Sequence, residues 1–206
     1  PSARFYQAGS SEMFGNSIDE NGYQRETTPM LPVSPYGCSK LYAYNVARTY
    51  RKSYDLFISN GILFNHESPR RGLNFVTNKV VDAAVRIANK KQDKLHLGNL
   101  DATRDWGHAQ DYVRAMWRML QHYEPDDFVC ATGQSRSVRD LCSHVFSFLG
   151  LDYLDYVVLD EKYLRPEELN DLKGDSTKIK TLIGWKPLYT FKSMMKQMIK
   201  YRESKI

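Results

Sequence analysis

Apolar and polar positions in this chain follow two periods, one near 3.6 residues and one near 2. From Tyr36 to Tyr54 no proline interrupts and no glycine follows Gly37, and Leu41, Tyr44, Ala47 and Arg48 recur at helical spacing. That spacing predicts a long helix over 36–54. Val76, Val80, Ala84 and Ile87 predict another over 74–89, and a third over 138–149 stops at Gly150. Helices are also expected over 176–183, ended by Gly184, and over 191–203.

Short apolar runs read as strands at 4–8, 95–97, 128–132 and 156–159, and at 56–64 with a break at Asn60-Gly61. The polar stretches 16–35 and 65–72 read as loops. Residues 105–108 lead into a helix that ends near 122. Strands alternating with helices predict an α/β fold built on a parallel sheet. The pattern shows no internal repeat and no low-complexity linker.

Composition narrows the function without naming it. The chain has 206 residues, 42% hydrophobic and 26% charged, the ordinary balance of a soluble globular protein. No apolar run is long enough to span a membrane. The net charge of +5 is scattered, with tight pairs only at Arg70-Arg71 and Lys90-Lys91. That argues against a nucleic-acid reader and fits a few arginines placed for a diphosphate. Three cysteines and five histidines lack metal-ligand spacing, so no metal site is expected, and the thiols suit a reducing cytosol.

Candidate chemistry sits in two short motifs. Tyr36 and Lys40 lie four apart on the first helix, so they share a face and the ammonium approaches the phenol. Lowering a phenol pKa from about 10 to about 7 takes roughly 4 kcal/mol, more than one lysine supplies, so a second positive group is required nearby. Such a phenolate can accept a proton from a substrate hydroxyl. The spacing alone is weak, because Tyr201 and Lys205 repeat it on a terminal helix that reads as solvated. Ser10-Ser11-Glu12 gives the pair its weight. It follows the first strand directly, at the carboxyl end where α/β sites form. Glu12 reads as a proton-abstracting base or as a surface carboxylate. Ser10 reads as a donor to a substrate oxygen or as a turn cap. The loop carrying Arg70-Arg71 reads as a phosphate clamp or a solvated pair. The stretch 101–111, with Arg104, Asp105 and His108, reads as binding residues or a buried ion pair. No G-x-G-x-x-G or G-x-x-G-x-x-G occurs anywhere in the chain.

These residues bring a family into view. The segments Arg4–Gly15, Glu26–Pro29, Ser34–Tyr44, Asn60–Gly72, Leu97–Tyr112, Arg165–Glu168 and Gly184–Pro187 together resemble the extended short-chain dehydrogenase/reductases, and within them the GDP-mannose 4,6-dehydratases. The resemblance implies the C-terminal portion of a Rossmann-like parallel sheet with a smaller α/β substrate-binding domain. The first unit would span 1–65 and 109–135, the second 66–108 and 136–206. The resemblance further implies conversion of GDP-mannose to GDP-4-keto-6-deoxymannose by internal hydride transfer through NADP. Catalytic residues would be Ser10, at the family's usual threonine position, with Glu12, Tyr36 and Lys40. Lys40, His66 and Arg71 would meet NADP. Asn65, Val76, Lys79, Arg104, Arg165 and Glu168 would meet the sugar nucleotide. A cytoplasmic homo-oligomer, dimer or tetramer, is implied, with no nucleic-acid or membrane partner.

Two departures from the family pattern matter. The Gly-rich cofactor loop is missing, so the chain taken alone is expected to bind NADP poorly and to be inactive. The segment between Gly150 and Arg165 is shorter than usual, which touches the nucleotide pocket. The alternatives are a related sugar-nucleotide reductase or epimerase, and a truncated, non-catalytic paralogue.

Overall fold

The computed structural model describes residues 3–164, 169 and 172–206. Its first sheet is parallel, in the order β1 (Phe5–Ser10), β2 (Ile58–Leu63), β6 (Asp127–Cys130). β2 is central and buried along its whole length. Alternate side chains leave the sheet on opposite faces. Ile62 and Val129 pack with Met13, Phe14 and Tyr44, beneath helix α1 (Pro35–Tyr54). Leu63, Phe128 and Cys130 pack with Tyr112 and Met119 of α3 (Ala109–Met119), and with Ile179 of α5 (Thr177–Ile183). Helices therefore cover both faces, as a parallel sheet requires.

A second unit stands on a different core. Helices α2 (Val76–Ala88), α4 (Val138–Phe148) and α6 (Phe191–Glu203) bury Val80, Ala84, Leu141, Val145, Met194 and Met198 against one another. Beside them lie the mixed sheet β3 (Asn65–Glu67), β5 (Thr103–His108), β7 (Ser135–Ser137) and the parallel pair β4 (Leu95–Leu97), β8 (Val157–Leu159). The chain passes between the units several times.

Helix α1 forms where its periodicity predicts, and its start is set by chemistry. Ser34 is extended, its hydroxyl accepts the Gly37 N–H, and Pro35 occupies the first helical turn, where its missing N–H costs nothing. Such a cap contributes about 1 kcal/mol. Further along, Tyr44, Arg48 and Arg51 converge on the buried carboxylate of Asp127, which also accepts from Asn60. One carboxylate thus clamps α1 onto β2 and β6.

Four expectations are corrected. Asn60-Gly61 does not break the strand: a Cβ at Gly61 would lie 2.5 Å from the Tyr6 hydroxyl, so the glycine admits the Tyr6 ring and no turn forms. The polar run at 65–72 is not all loop, because Asn65–Glu67 pairs with Trp106–His108. Residues 103–108 are strand, and the helix starts only at Ala109, where His108 accepts the Gln110 N–H. Finally, α5 and Trp185, expected in the second unit, pack with the first sheet, and the Trp185 indole N–H donates to the Asp111 carbonyl.

Candidate active site

A cleft of about 690 Å³ opens at the carboxyl ends of β1 and β2 and runs to the second unit. Parallel strands all end on this side, and their last residues hand side chains into it. Ser10, Glu12, Tyr36 and Lys40 line the near wall. Asn65, His66, Arg71, Val76, Lys79 and Arg104 line the rest. Arg165 and Glu168 lie outside the described residues.

The near wall is tied together by short hydrogen bonds. Ser10 ends β1, and its hydroxyl accepts the Glu12 N–H at 3.2 Å, which starts a single 3-10 turn at Ser11–Phe14. That turn swings Glu12 toward α1. There the Ser34 hydroxyl donates to Glu12 Oε2 at 3.0 Å. A Cβ at Gly37 would lie 2.8 Å from the Glu12 carbonyl, so only glycine lets the start of α1 approach this closely. Lys40 Nζ donates to the Ala8 carbonyl at 3.1 Å and lies 5.6 Å from the centre of the Tyr36 ring. The carbonyl orients the ammonium without neutralising it. Tyr36 itself is half exposed at 51% and reachable by a ligand.

The middle of the cleft is set by β3. His66 Nδ1 bonds the Phe64 carbonyl at 2.9 Å, so this nitrogen is the donor and Nε2 the acceptor. Its ring stacks on Tyr112. Burial lowers the His66 pKa, and the Arg71 guanidinium lowers it further. Glu67 is buried, accepts the Thr77 hydroxyl at 2.6 Å and meets Arg71 at 3.1 Å. Burial raises its pKa, against the pull of Arg71. Arg71 thereby lies over the Phe75 ring, 3.4 Å from its centre. Asn65 Oδ1 is buried with no hydrogen-bond partner among the described residues.

The far wall collects long cations. Lys79 donates to the His96 carbonyl at 2.8 Å and lies 3.9 Å from the centre of the Tyr163 ring. Arg104 donates to the carbonyls of Thr103 and Leu169, each at 2.7 Å. Its neighbour Asp105 points the other way and accepts from Thr132 and Gly133, fastening β5 to the segment after β6. Burial pushes the Asp105 carboxyl up to about 6. The described lining carries Lys40, Arg71, Lys79 and Arg104 against two carboxylates, Glu12 and Glu67. A site of that balance suits a di-anionic ligand such as a diphosphate.

Sequence reasoning did not single out Ser34, Glu67, Thr77 or Tyr163. Ser34-Pro35 before an apolar run carries a readable cap signal, but its bond to Glu12 has none. Glu67 and Thr77 meet only once β3 and α2 are in place.

The fold defines a class, the Rossmann-type α/β proteins with a parallel sheet covered by helices on both faces. Solved structures with this fold include the RMD protein of Pseudomonas aeruginosa complexed with NADPH, at TM-score 0.90 and 24% identity, covering 100% of this chain and 68% of that one. They also include dTDP-glucose 4,6-dehydratase from Bacillus anthracis in complex with NAD, at TM-score 0.86 and 24% identity, covering 98% and 62%. Within that class the model of the GDP-mannose 4,6-dehydratase family matches residues 1–198, and the chain belongs to that family. Among its relatives are GDP-mannose 4,6 dehydratase 2 of Arabidopsis thaliana, 52% identical over 95% of this chain and 52% of its own length, and the human GDP-mannose 4,6 dehydratase, 46% identical over 96% and 57%. The chain spans about half the length of these curated relatives.

Proposed function

We propose that this chain carries the catalytic and sugar-nucleotide-binding part of a GDP-mannose 4,6-dehydratase that uses NADP. One observation carries the reading: Glu12 shares a cleft with Tyr36 and Lys40, and its carboxylate is oriented there by Ser34. A 4-epimerase or 4-reductase needs the tyrosine and lysine but no base at C5.

The residues fit the nicotinamide end of the cofactor. A lysine ammonium and a phenol side by side suit ribose hydroxyls. Lys40, His66 and Arg71 would hold NADP, while Asn65, Val76, Lys79 and Arg104 would hold the sugar nucleotide, with Arg165 and Glu168 in the same role. When bound, the nicotinamide supplies a hydride acceptor for C4 and a donor for C6, with no net oxidation.

The chain's own groups move the protons. Tyr36 accepts the C4 hydroxyl proton, and Lys40 stabilises the charge. The ketone formed at C4 acidifies C5–H. Glu12 takes that proton, the C–H electron pair enters the enolate of the ketone and then forms the C5–C6 double bond, and the C6 hydroxyl departs as water with the proton that Glu12 returns to it. Once C6 is reduced, C5 takes a proton that has exchanged with solvent. Ser10 accepts the Glu12 N–H, so its own proton is available to a substrate oxygen. The exposed side of α1, with Tyr42, Tyr50 and Tyr54, suits a second subunit, in keeping with a homo-oligomer in the cytosol.

The test is incubation with GDP-mannose and NADP⁺, read by mass spectrometry as loss of one water from the sugar nucleotide. It is run on the chain itself and on the chain joined to the N-terminal half of the Arabidopsis relative. Water loss by the joined form only is the expected result, and turnover by the chain alone would overturn the expectation that it is inactive. Oxidation or epimerisation without water loss would favour the reductase or epimerase reading. Glu12→Gln should then abolish exchange of the C5 proton with solvent.

A further inference from the structure

Ser34 occupies a position that neither the resemblance nor the cap alone explains. Its hydroxyl has one proton and two lone pairs. One lone pair accepts the Gly37 N–H at 3.0 Å. The proton goes to Glu12 Oε2 at 3.0 Å. Ser34 is therefore hydrogen-bonded both to the carboxylate expected to work at C5 and to the helix turn that carries Tyr36, expected to work at C4. The packing around it is tight: Gly37 has room for no Cβ, since one would lie 2.8 Å from the Glu12 carbonyl and 2.9 Å from Pro32 Cβ. Glu12 cannot shift along the helix start without breaking that contact. No other hydrogen bond to the Glu12 carboxylate is present among the described residues.

From this geometry we propose that Ser34 is a positioning residue for the C5 proton transfer. Its hydroxyl occupies Oε2 of Glu12 and so leaves Oε1 to take the proton. The step it serves is balanced within the substrate and this side chain. The C5–H bond breaks, the proton passes to Oε1, and the bond pair enters the enolate of the 4-ketone. The proposal rests on the dehydratase reading above and adds a residue to it.

The two roles of Ser34, cap and carboxylate anchor, come apart by substitution. Ser34→Thr keeps both. Ser34→Asp keeps an N-cap acceptor but sets a second carboxylate against Glu12 in place of a donor. Ser34→Ala loses both. Each is made in the preparation that dehydrates GDP-mannose and is read in two ways. The first is the rate at which C5 of a GDP-4-keto-6-deoxyhexose exchanges its proton in D₂O, a reaction that needs the base and no net hydride transfer. The second is the single-turnover appearance of reduced nicotinamide from GDP-mannose, which reports C4 oxidation. Thermal midpoints show whether the helix start survives.

Ser34→Ala and Ser34→Asp should each slow C5 exchange by roughly a hundredfold, the effect of a displacement near 1 Å, while C4 oxidation falls several-fold less. Ser34→Thr should restore both rates, and Ser34→Asp should melt close to the unaltered protein. Two results would overturn the proposal: Ser34→Asp exchanging C5 at the unaltered rate, or Ser34→Ala losing C4 and C5 rates equally. Either would leave Ser34 as a cap alone. If the unaltered protein exchanges no C5 proton, the dehydratase reading fails and this proposal with it, a result distinct from the other two.

Discussion

The two walls of the cleft are built on opposite principles. The near wall comes from residues 8–40, and its polar groups answer to neighbours in the same stretch: Ser10 to Glu12, Ser34 to Glu12 and Gly37, Lys40 to Ala8. The far wall is gathered from α2, β5 and the segment at Tyr163, which lie far apart in the chain. Its cations are long side chains steadied on carbonyls and aromatic faces. A site that moves protons needs the first kind of construction, because a base misplaced by 1 Å loses most of its rate. Holding an anionic ligand needs only charge within reach, which flexible side chains supply. The near wall should therefore govern turnover and the far wall should govern affinity.

The sharpest way to break that comparison is at Tyr36. Tyr36→Phe in the joined form should lower turnover by about 10²–10⁴-fold with little change in KM, the range for losing a general acid–base group. A loss confined to KM would put the phenol on the binding side. The clamp under the near wall comes next. Asp127 is buried and meets Tyr44, Arg51, Asn60 and the half-exposed Arg48. Asp127→Ala should cost roughly 3 kcal/mol in urea unfolding, the low end for breaking a buried charge network because Arg48 reaches solvent. A cost below about 1 kcal/mol would mean that α1 is held by apolar packing alone.

A smaller effect is expected on the far wall. Lys79→Ala should raise KM for the sugar nucleotide about tenfold and leave turnover within a few-fold, in line with one charge-assisted hydrogen bond of roughly 1.5 kcal/mol. A fall in turnover with unchanged KM would erase the distinction between the walls. The smallest signal is at His66. Burial lowers its folded pKa beneath the ordinary 6.5, so the unfolded chain takes up a proton first as pH falls. The His66 contribution to stability is full above 6.5 and declines as pH drops below it. Its NMR titration midpoint should lie below 6.5, and a midpoint at or above 6.5 would contradict the buried, neutral ring.

This contrast also explains what the sequence disclosed. Helix α1 was legible because its apolar period, its Ser-Pro start and its Tyr-x-x-x-Lys motif all lie in one continuous stretch. Ser10 and Glu12 were legible because they follow a strand. Asn60-Gly61 reads as a turn in sequence, yet the glycine answers to Tyr6 on the neighbouring strand. β3 was illegible for a related reason: Asn65, His66 and Glu67 are polar, and the strand and side chains they meet, Trp106–His108, Tyr112 and Thr77, lie elsewhere in the chain. Helix α5 was found from its period and its glycine stop, but nothing local says which core Ile179 joins. Arg104 stood out in the sequence only as one of two readings of its stretch, Val76 and Lys79 came from the resemblance alone, and the Ser34–Glu12 bond is visible only in three dimensions.

The central claim is that one cleft oxidises C4, removes water across C5 and C6, and returns the same hydride. GDP-mannose carrying deuterium at C4, turned over by the joined form in ordinary water, and unlabelled GDP-mannose turned over in D₂O together test all three. The predicted 4-keto-6-deoxy product carries the substrate's deuterium at C6 in the first case and solvent deuterium at C5 in the second. Deuterium that stays at C4, or washes out without reaching C6, would contradict it.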